Sequence, residues 1–502
     1  MELPLTPVDF LRRAGAIYED EVGVVAGDRV LTYGQFLDLA EHLAGFLATH
    51  GVRPGDRVAW LGMQRVEFLA AYFAVPGIGA ILAPINARLA PAEIRYILDD
   101  LDVKLMVEDL PQFDPEGVAG HTVISFAGAK GLGQAIWQSH PMSLGCGSES
   151  QVAEIFYTSG STGKPKGVML THRNIFTNAV NFALMHQIND LDVVYHAIPL
   201  FHVNAWGLPH AATWLGARQI LPDRFQAEQT LDAVERERVT LLCAVPTMVE
   251  ALIDGQLRRP RDLSSLRRLI VGGSPIPEEL GGRILRHLGV PYAQAYGLTE
   301  TAPALTVGNP RRGVPQGVDW GLPVPSAELR VVDNSGQPVP RDGATLGEIV
   351  ARGNSVMAGY WRRPADTEAA MVGGWLHTGD LGVVARSGAI RVVDRKKDLI
   401  ISGGENIAPV EVENAILSHP GVLDVGVVGV PDPRWNEVPV AFVVPRAALK
   451  VEEIHAFLQG KLARFKQPKK IYLLEELPKT GTGKVRKDEL RRLAQGSTAG
   501  KG

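Results

Sequence analysis

A chain of 502 residues, 45% hydrophobic and 21% charged, has the make-up of an ordinary globular protein with room for two or more domains. Its formal net charge of −4 supplies no basic excess to displace counterions, which excludes a general nucleic-acid binder. Cys146 and Cys243 stand far apart without metal-ligand spacing, so the expectation is a reducing compartment and no disulfide framework. The N-terminus carries early acids and no continuous apolar core, unlike a signal peptide. The longest apolar runs, such as 68–75, are too short to span a membrane. A soluble, cytoplasmic protein is expected.

The elements alternate from the start. Thr6-Pro7-Val8-Asp9 reads as a helix start, and 29–33 as a strand leading into a helix with Phe36, Ala40, Leu43, Ala44 and Leu47 on one face. A strand over 57–61, a helix over 67–75, a helix over 92–98 and a strand over 104–107 continue the pattern of a layered α/β sheet. Residues 111–150 are weakly patterned and read as a variable connection. Further strands are expected over 193–199, 241–245 (closed by Pro246) and 269–272, with helices over 174–186, 226–238 and 278–288. From 317 to 395, short strands with frequent Gly and Pro suggest a β-rich subdomain. Alternating strands and helices over the last hundred residues suggest a small α+β domain. The tail 496–502 is expected to fray.

Within this frame 155–174 stands out. Ile155-Phe156-Tyr157 enters like a strand, Thr158-Ser159-Gly160-Ser161-Thr162-Gly163 follows, and Val168-Met169-Leu170 resumes the apolar pattern after Lys164 and Lys166. Glycines allow close backbone approach to an anion, hydroxyls and amides donate to phosphate oxygens, and a lysine adds charge. The spacing is not that of a Walker A loop, since Lys164 is followed by Pro165.

The run YTSGSTGKPKGVMLTH resembles the phosphate loop of the adenylate-forming superfamily, which includes acyl-CoA synthetases, peptide-synthetase adenylation domains and luciferases. Further matches follow in that family's order over about 32–493. The resemblance implies a large N-terminal α/β domain with a β-rich subdomain over 1–394, a hinge over 395–398, and a small mobile α+β domain over 399–502. Gln294-Ala295-Tyr296-Gly297-Leu298-Thr299-Glu300-Thr301 resembles the second nucleotide motif. Tyr296 would stack on adenine and Thr299 would donate to the α-phosphate. Thr158 and Glu300 would face Mg2+, a hard cation suited to oxygen ligands. Asp380, within Gly374-Trp-Leu-His-Thr-Gly-Asp380, would take the ribose hydroxyls, with Arg395 beside the ribose and Lys397 as the pivot. Lys484, ending Pro478-Lys-Thr-Gly-Thr-Gly-Lys484, would be the mobile catalytic lysine, meeting negative charge as it builds during adenylation.

His202, Val203, Asn204 and Trp206 resemble the acid-binding stretch of synthetases acting on fatty acids. There the tryptophan gates an acyl tunnel and the histidine borders the carboxyl site. Val271, Gly272 and Gly273 extend an apolar pocket, and no arginine is evident there to pair a second carboxylate, which disfavours malonate-type acids. The implied reaction is ATP-dependent formation of an acyl adenylate, then transfer to CoA, with a medium- or long-chain fatty acid as first choice. A short substituted or aryl acid comes next. A free-standing adenylation enzyme loading a carrier protein and a luciferase-like oxygenase stay open. A homodimer is implied by several relatives; no nucleic-acid partner or integral membrane segment is expected.

Overall fold

The structure is a computed structural model that describes residues 3–110, 118, 120–125, 129–158, 164–274, 276, 278–308, 320–403, 405–479 and 485–496. By packing the chain divides into two units. The first comprises Met1–Ile276, Leu280–Leu329 and Ala351–Leu376, and the second Pro277–Glu279, Arg330–Val350 and His377–Gly502.

Two sheets organise the first unit. One runs Gly359–Tyr360, Lys166–Thr171, Val152–Thr158, Ile81–Pro84, Arg57–Gly62, Leu105–Asp109 and Val123–Ser125. It is parallel from Val152–Thr158 onward and antiparallel at the other end. Within this unit the other has a parallel centre of Tyr292–Gly297, Arg268–Val271, Leu241–Ala244, Val193–Tyr195, Arg218–Ile220 and Val22–Ala26. Several helices have a local reason to begin where they do. Thr32 and Gln35 form a reciprocal capping box, with the Gln35 amide donating to Thr32 Oγ1 at 3.2 Å and the Thr32 amide to Gln35 Oε1 at 3.0 Å. Thr171 and Asn174 repeat the device ahead of the helix His172–His186.

The helix Val66–Gly77 is buried on every face. It packs against the helices Tyr33–Thr49 and Val8–Ile17 and against the strands Ile81–Pro84 and Val152–Thr158. That is why its sequence is apolar all round rather than striped, apart from Glu67, which pairs with Arg29. Each fully buried Leu or Phe in such a core contributes about 1.5–3 kcal/mol relative to exposure.

Three local expectations change. The weakly patterned stretch 111–150 contains an edge strand, Val123–Ser125, and a helix, Ala129–Trp137, whose Ile136 is fully buried. Pro246 opens a helix, Pro246–Arg258, rather than merely closing a strand, because a proline suits the first turn, where its missing N–H is not needed. The strand expected over 193–199 stops at Tyr195. Beyond it the buried Gln64 takes over the ladder's role, donating to the carbonyls of His196 (3.2 Å) and Pro222 (3.0 Å) and accepting from the Leu200 amide (3.1 Å).

In the second unit a five-stranded sheet runs Glu405–Ile407, Ile400–Ser402, Asn436–Pro445 and Val422–Asp432, with Lys470–Leu473 parallel to Asn436–Pro445. The helices Pro409–Leu417, Val451–Leu458 and Lys487–Gly496 belong to the same unit. The packing boundary falls earlier than 394/395: residues 380–384 pair antiparallel with 390–395, so one ladder draws the end of the β-rich stretch into this unit. Among the described residues no helix is long and apolar enough to cross a membrane.

Five buried or packed histidines of the first unit carry depressed pKa values, with burial as the main cause in each. His172, His196 and His202 lie at about 4, and His186 and His210 at about 3. In the unfolded chain each titrates near 6.5. As pH falls below about 6.5 the unfolded state therefore gains protons that the folded state does not, and stability drops until about pH 3–4. Asp109, which burial raises to about 6 against the opposing Arg65, offsets one of these protons. The expected outcome is a melting temperature that falls steadily from pH 7 to pH 4.5, with net proton uptake on unfolding at pH 5. Calorimetry in buffers of different ionisation enthalpy measures that uptake, and a flat profile would contradict it.

Candidate active site

The phosphate-loop motif is the closed end of an antiparallel hairpin. Val152–Thr158 pairs with Lys166–Thr171, with Thr158 opposite Lys166 and Tyr157 opposite Gly167. Ser159, Gly160, Ser161, Thr162 and Gly163 lie outside the described residues, but the two posts of their loop, Thr158 and Lys166, face each other. Gly167 has a packing reason: a Cβ there would stand 2.9 Å from Ile155 Cγ2 and 3.0 Å from the Tyr157 ring. The Lys166 ammonium, expected on phosphate, pairs with Asp366 Oδ1 at 2.8 Å and lies 5.4 Å from the Tyr360 ring centroid.

The second motif follows Tyr292–Gly297. Gln294 is buried, and its side-chain Oε1 has no hydrogen-bond partner among the described residues. Ala295 and Tyr296 continue the strand, half-buried, and Gly297 ends it. The chain then doubles back so closely that a Cβ on Gly297 would lie 1.7 Å from the Pro303 carbonyl oxygen, which only glycine permits. Thr299, Glu300 and Thr301 form a single 3-10 turn. Glu300 is fixed twice: its carbonyl accepts from the Met357 amide, and its carboxylate Oε1 accepts from the Tyr360 hydroxyl, both at 2.9 Å.

Of the acid-binding candidates, the structure brings Trp206, Gly272 and Gly273 together. Trp206 is 6% exposed and lies over the Gly272–Gly273 turn. A Cβ on Gly272 would sit 3.2 Å from Trp206 Cη2, and one on Gly273 3.8 Å from Trp206 Cζ2. The indole reaches that place through an unusual backbone: Val203, Ala205 and Trp206 have φ of 29°, 44° and 63°, ahead of Gly207 at 78°. Left-handed conformations cost a non-glycine residue about 1–2 kcal/mol each and persist where surroundings enforce them. One such restraint is the fully buried Asn178, which donates to the Trp206 carbonyl at 3.5 Å and accepts from the Ala304 amide at 3.2 Å. Burial, with the Arg88 guanidinium as a second cause, pushes His202 down to about 4, so its imidazole is neutral at pH 7.

Arg88 corrects one expectation. Its guanidinium lies 5.9 Å from the Phe201 ring centroid and is felt by His202, so an arginine does stand beside the candidate stretch, although among the described residues no contact places it against Trp206 or Gly272. Arg88 is more than a hundred residues away in sequence, and only folding brings it there. Asn178 was missed for a related cause, since a buried asparagine inside a helix resembles ordinary helix-face sequence.

Asp380, Arg395 and Lys397 belong to the second unit. Asp380 and Arg395 are cross-strand partners, Arg395 Nε lying 2.7 Å from Asp380 Oδ1, and Asp380 is only 3% exposed. Lys397 is exposed within the short turn Lys396–Asp398. The aspartates flanking it are tied down: Asp394 Oδ2 accepts from the Val410 amide at 3.0 Å, and Asp398 Oδ1 from Arg491 at 2.6 Å. Lys484 lies outside the described residues.

The sequence profile of the AMP-binding enzyme family matches residues 11–361, and that of the AMP-binding enzyme C-terminal domain matches 411–484. The chain is 40% identical to a feruloyl-CoA synthase of Amycolatopsis sp over 93% of this chain and 94% of that protein. It is 37% identical to a long-chain-fatty-acid–CoA ligase of Thermus thermophilus over 98% and 96%. Among solved structures it is similar to an o-succinylbenzoate coenzyme A synthetase from Bacillus subtilis in complex with ATP and magnesium ion. That likeness has a TM-score of 0.87 and 30% identity, over 97% of this chain and 99% of that one. A phosphate hairpin, a clamped glutamate turn and matches spanning both family profiles lead to one conclusion: the chain belongs to the AMP-binding, adenylate-forming enzymes and is an AMP-forming acid–thiol ligase, an acyl-CoA synthetase.

Proposed function

We propose that this synthetase activates an apolar carboxylic acid, a medium- or long-chain fatty acid in the first instance. The observation carrying the adenylating half is the Glu300 carboxylate, held by a tyrosine whose strand pairs directly with the phosphate hairpin. The acid carboxylate attacks the α-phosphorus of ATP, pyrophosphate leaves, and the CoA thiol then displaces AMP from the acyl adenylate. The adenylate replaces a poor leaving group by a good one, so no nucleophilic side chain is required. Thr158 and Glu300 would hold Mg2+. Mg2+, a hard cation, suits one carboxylate together with the oxygens of nucleotide phosphates. When bound, Mg2+ supplies charge neutralisation at the phosphates. Thr299 donates to the α-phosphate, and the neutral His202 borders the carboxylate.

Trp206 across Gly272–Gly273 supports an apolar acid. An aryl acid is the second reading, favoured by the 40% identity to a feruloyl-CoA synthase. The test is AMP release with CoA present across straight-chain, aryl and dicarboxylic acids, the last included because of Arg88. Highest kcat/KM on straight-chain acids supports the first reading, and highest on aryl acids the second. Trp206→Ala is expected to shift the chain-length optimum while leaving the ATP requirement intact. An unchanged profile would make Trp206 ordinary core.

Domain rotation about Lys397 is proposed to separate the half-reactions, with Lys484 engaged only in the first. Lys484→Ala is expected to abolish acid-dependent pyrophosphate exchange while thioester formation from synthetic acyl adenylate largely persists. Equal loss of both in a well-folded variant would argue for one static site. Replacing CoA by a carrier protein distinguishes the carrier-loading alternative.

A further inference from the structure

Residues 354–361 form a strap that the sequence motifs do not mark. The Asn174 side-chain amide, from the helix after the phosphate hairpin, donates to the carbonyls of Asn354 (2.7 Å) and Val356 (2.8 Å). The Met357 amide donates to the Glu300 carbonyl, the Ala358 amide to Met169 (3.0 Å) and the Trp361 amide to Gly167 (2.7 Å). Gly359–Tyr360 is thereby a strand on the edge of the hairpin, Tyr360 opposite Val168. Strand alternation puts Val168 and Lys166 on one face, and the Tyr360 ring lies beneath the Lys166 ammonium while its hydroxyl donates to Glu300 Oε1. One tyrosine thus touches both the lysine post of the phosphate loop and the glutamate carboxylate.

We propose that Tyr360 is a positioning residue that sets the Glu300 carboxylate for the nucleotide-bound cation, a role that rests on the reading of Glu300 as its ligand. With Oε1 engaged by the tyrosine, Oε2 is the oxygen offered to the cation. The strap makes this orientation a property of the hairpin rather than of the glutamate turn alone. Asp366 Oδ1 pairs with the Lys166 ammonium at 2.8 Å, which gives that charge a partner other than Glu300.

The experiment uses the full chain and α,β-methylene-ATP, which cannot give up its adenylyl group because the α–β bridge is not cleaved, with thermal stabilisation followed as Mg2+ is titrated. Removing an outer hydrogen-bond partner of a metal ligand commonly costs about 10–100-fold in metal affinity. Tyr360→Phe, which keeps the ring and the strand pairing, is expected to raise the Mg2+ concentration for half-maximal stabilisation by about tenfold or more. Stabilisation by the analogue without Mg2+, and the ligand-free melting temperature, should stay unchanged. In a Glu300→Gln background the same substitution should add almost nothing, because the two act as one unit. An unchanged Mg2+ requirement in Tyr360→Phe, or a fully additive effect in the double variant, overturns the proposal while leaving Glu300 as a ligand. If Glu300→Gln alone leaves the Mg2+ requirement unchanged, the reading of Glu300 itself falls, and the positioning role with it.

Discussion

The ladder between Val152–Thr158 and Lys166–Thr171 is the constraint from which the first unit's chemistry follows. Its register sets Thr158 against Lys166 and so fixes both ends of the phosphate loop. Its inner edge joins the parallel sheet through Leu82 and Glu154, and its outer edge accepts Gly359–Tyr360. A one-residue slip would send each side chain to the opposite face, moving Lys166 off Asp366 and the strap off Glu300 together. Such coupling explains why the motif's last residues are as exacting as its glycines. Gly167 admits Tyr157, while Thr171 caps the helix that carries Asn174 and Asn178.

Charge is rationed in the interior beneath this hairpin. Glu154 is fully buried on the entering strand, with Oε1 3.6 Å from His210 Nε2, and His210 stands edge-on to Tyr72 with ring centroids 5.5 Å apart. Gln64 and Asn178 satisfy backbone groups where strands end or turn left-handed, and do so without introducing ions. Neutral amides and neutral imidazoles suit this place because an unpaired buried charge costs far more than a hydrogen-bonded polar group.

Most of the architecture was legible because the signals are local. Apolar periodicity located the helices Tyr33–Thr49 and His172–His186 to within a few residues, and turn chemistry placed the phosphate loop between two strands. Local signals also misled. Pro246 ends one strand and begins a helix, and sequence alone marks only the interruption. The short apolar run Val123–Ile124 becomes a strand only because Leu105–Asp109 presents an edge. At the candidate site, residues in contiguous motifs were found through their resemblance to a family. Arg88, Asn178 and Tyr360 were not, since each acts across more than twenty residues of chain through a contact that only folding creates. Asp380 and Arg395 were assigned to the same ribose, and strand register explains their neighbourhood in a way their spacing does not.

The N-terminal strand Val22–Ala26 carries a consequence for the birth of the protein. Its parallel partner is Arg218–Ile220, and the helix Val8–Ile17 packs on Leu208–Leu215. During synthesis the first thirty residues therefore leave the ribosome long before the surface they cover exists. Phe10, Leu11 and Val24, all buried in the finished protein, have no native neighbours from the far strand until about residue 220 has emerged. Pairings this distant in sequence form late, and exposed apolar segments that wait are those chaperones hold. The order of translation thus keeps the start of this chain from closing fully until the strand Arg218–Ile220 has followed it.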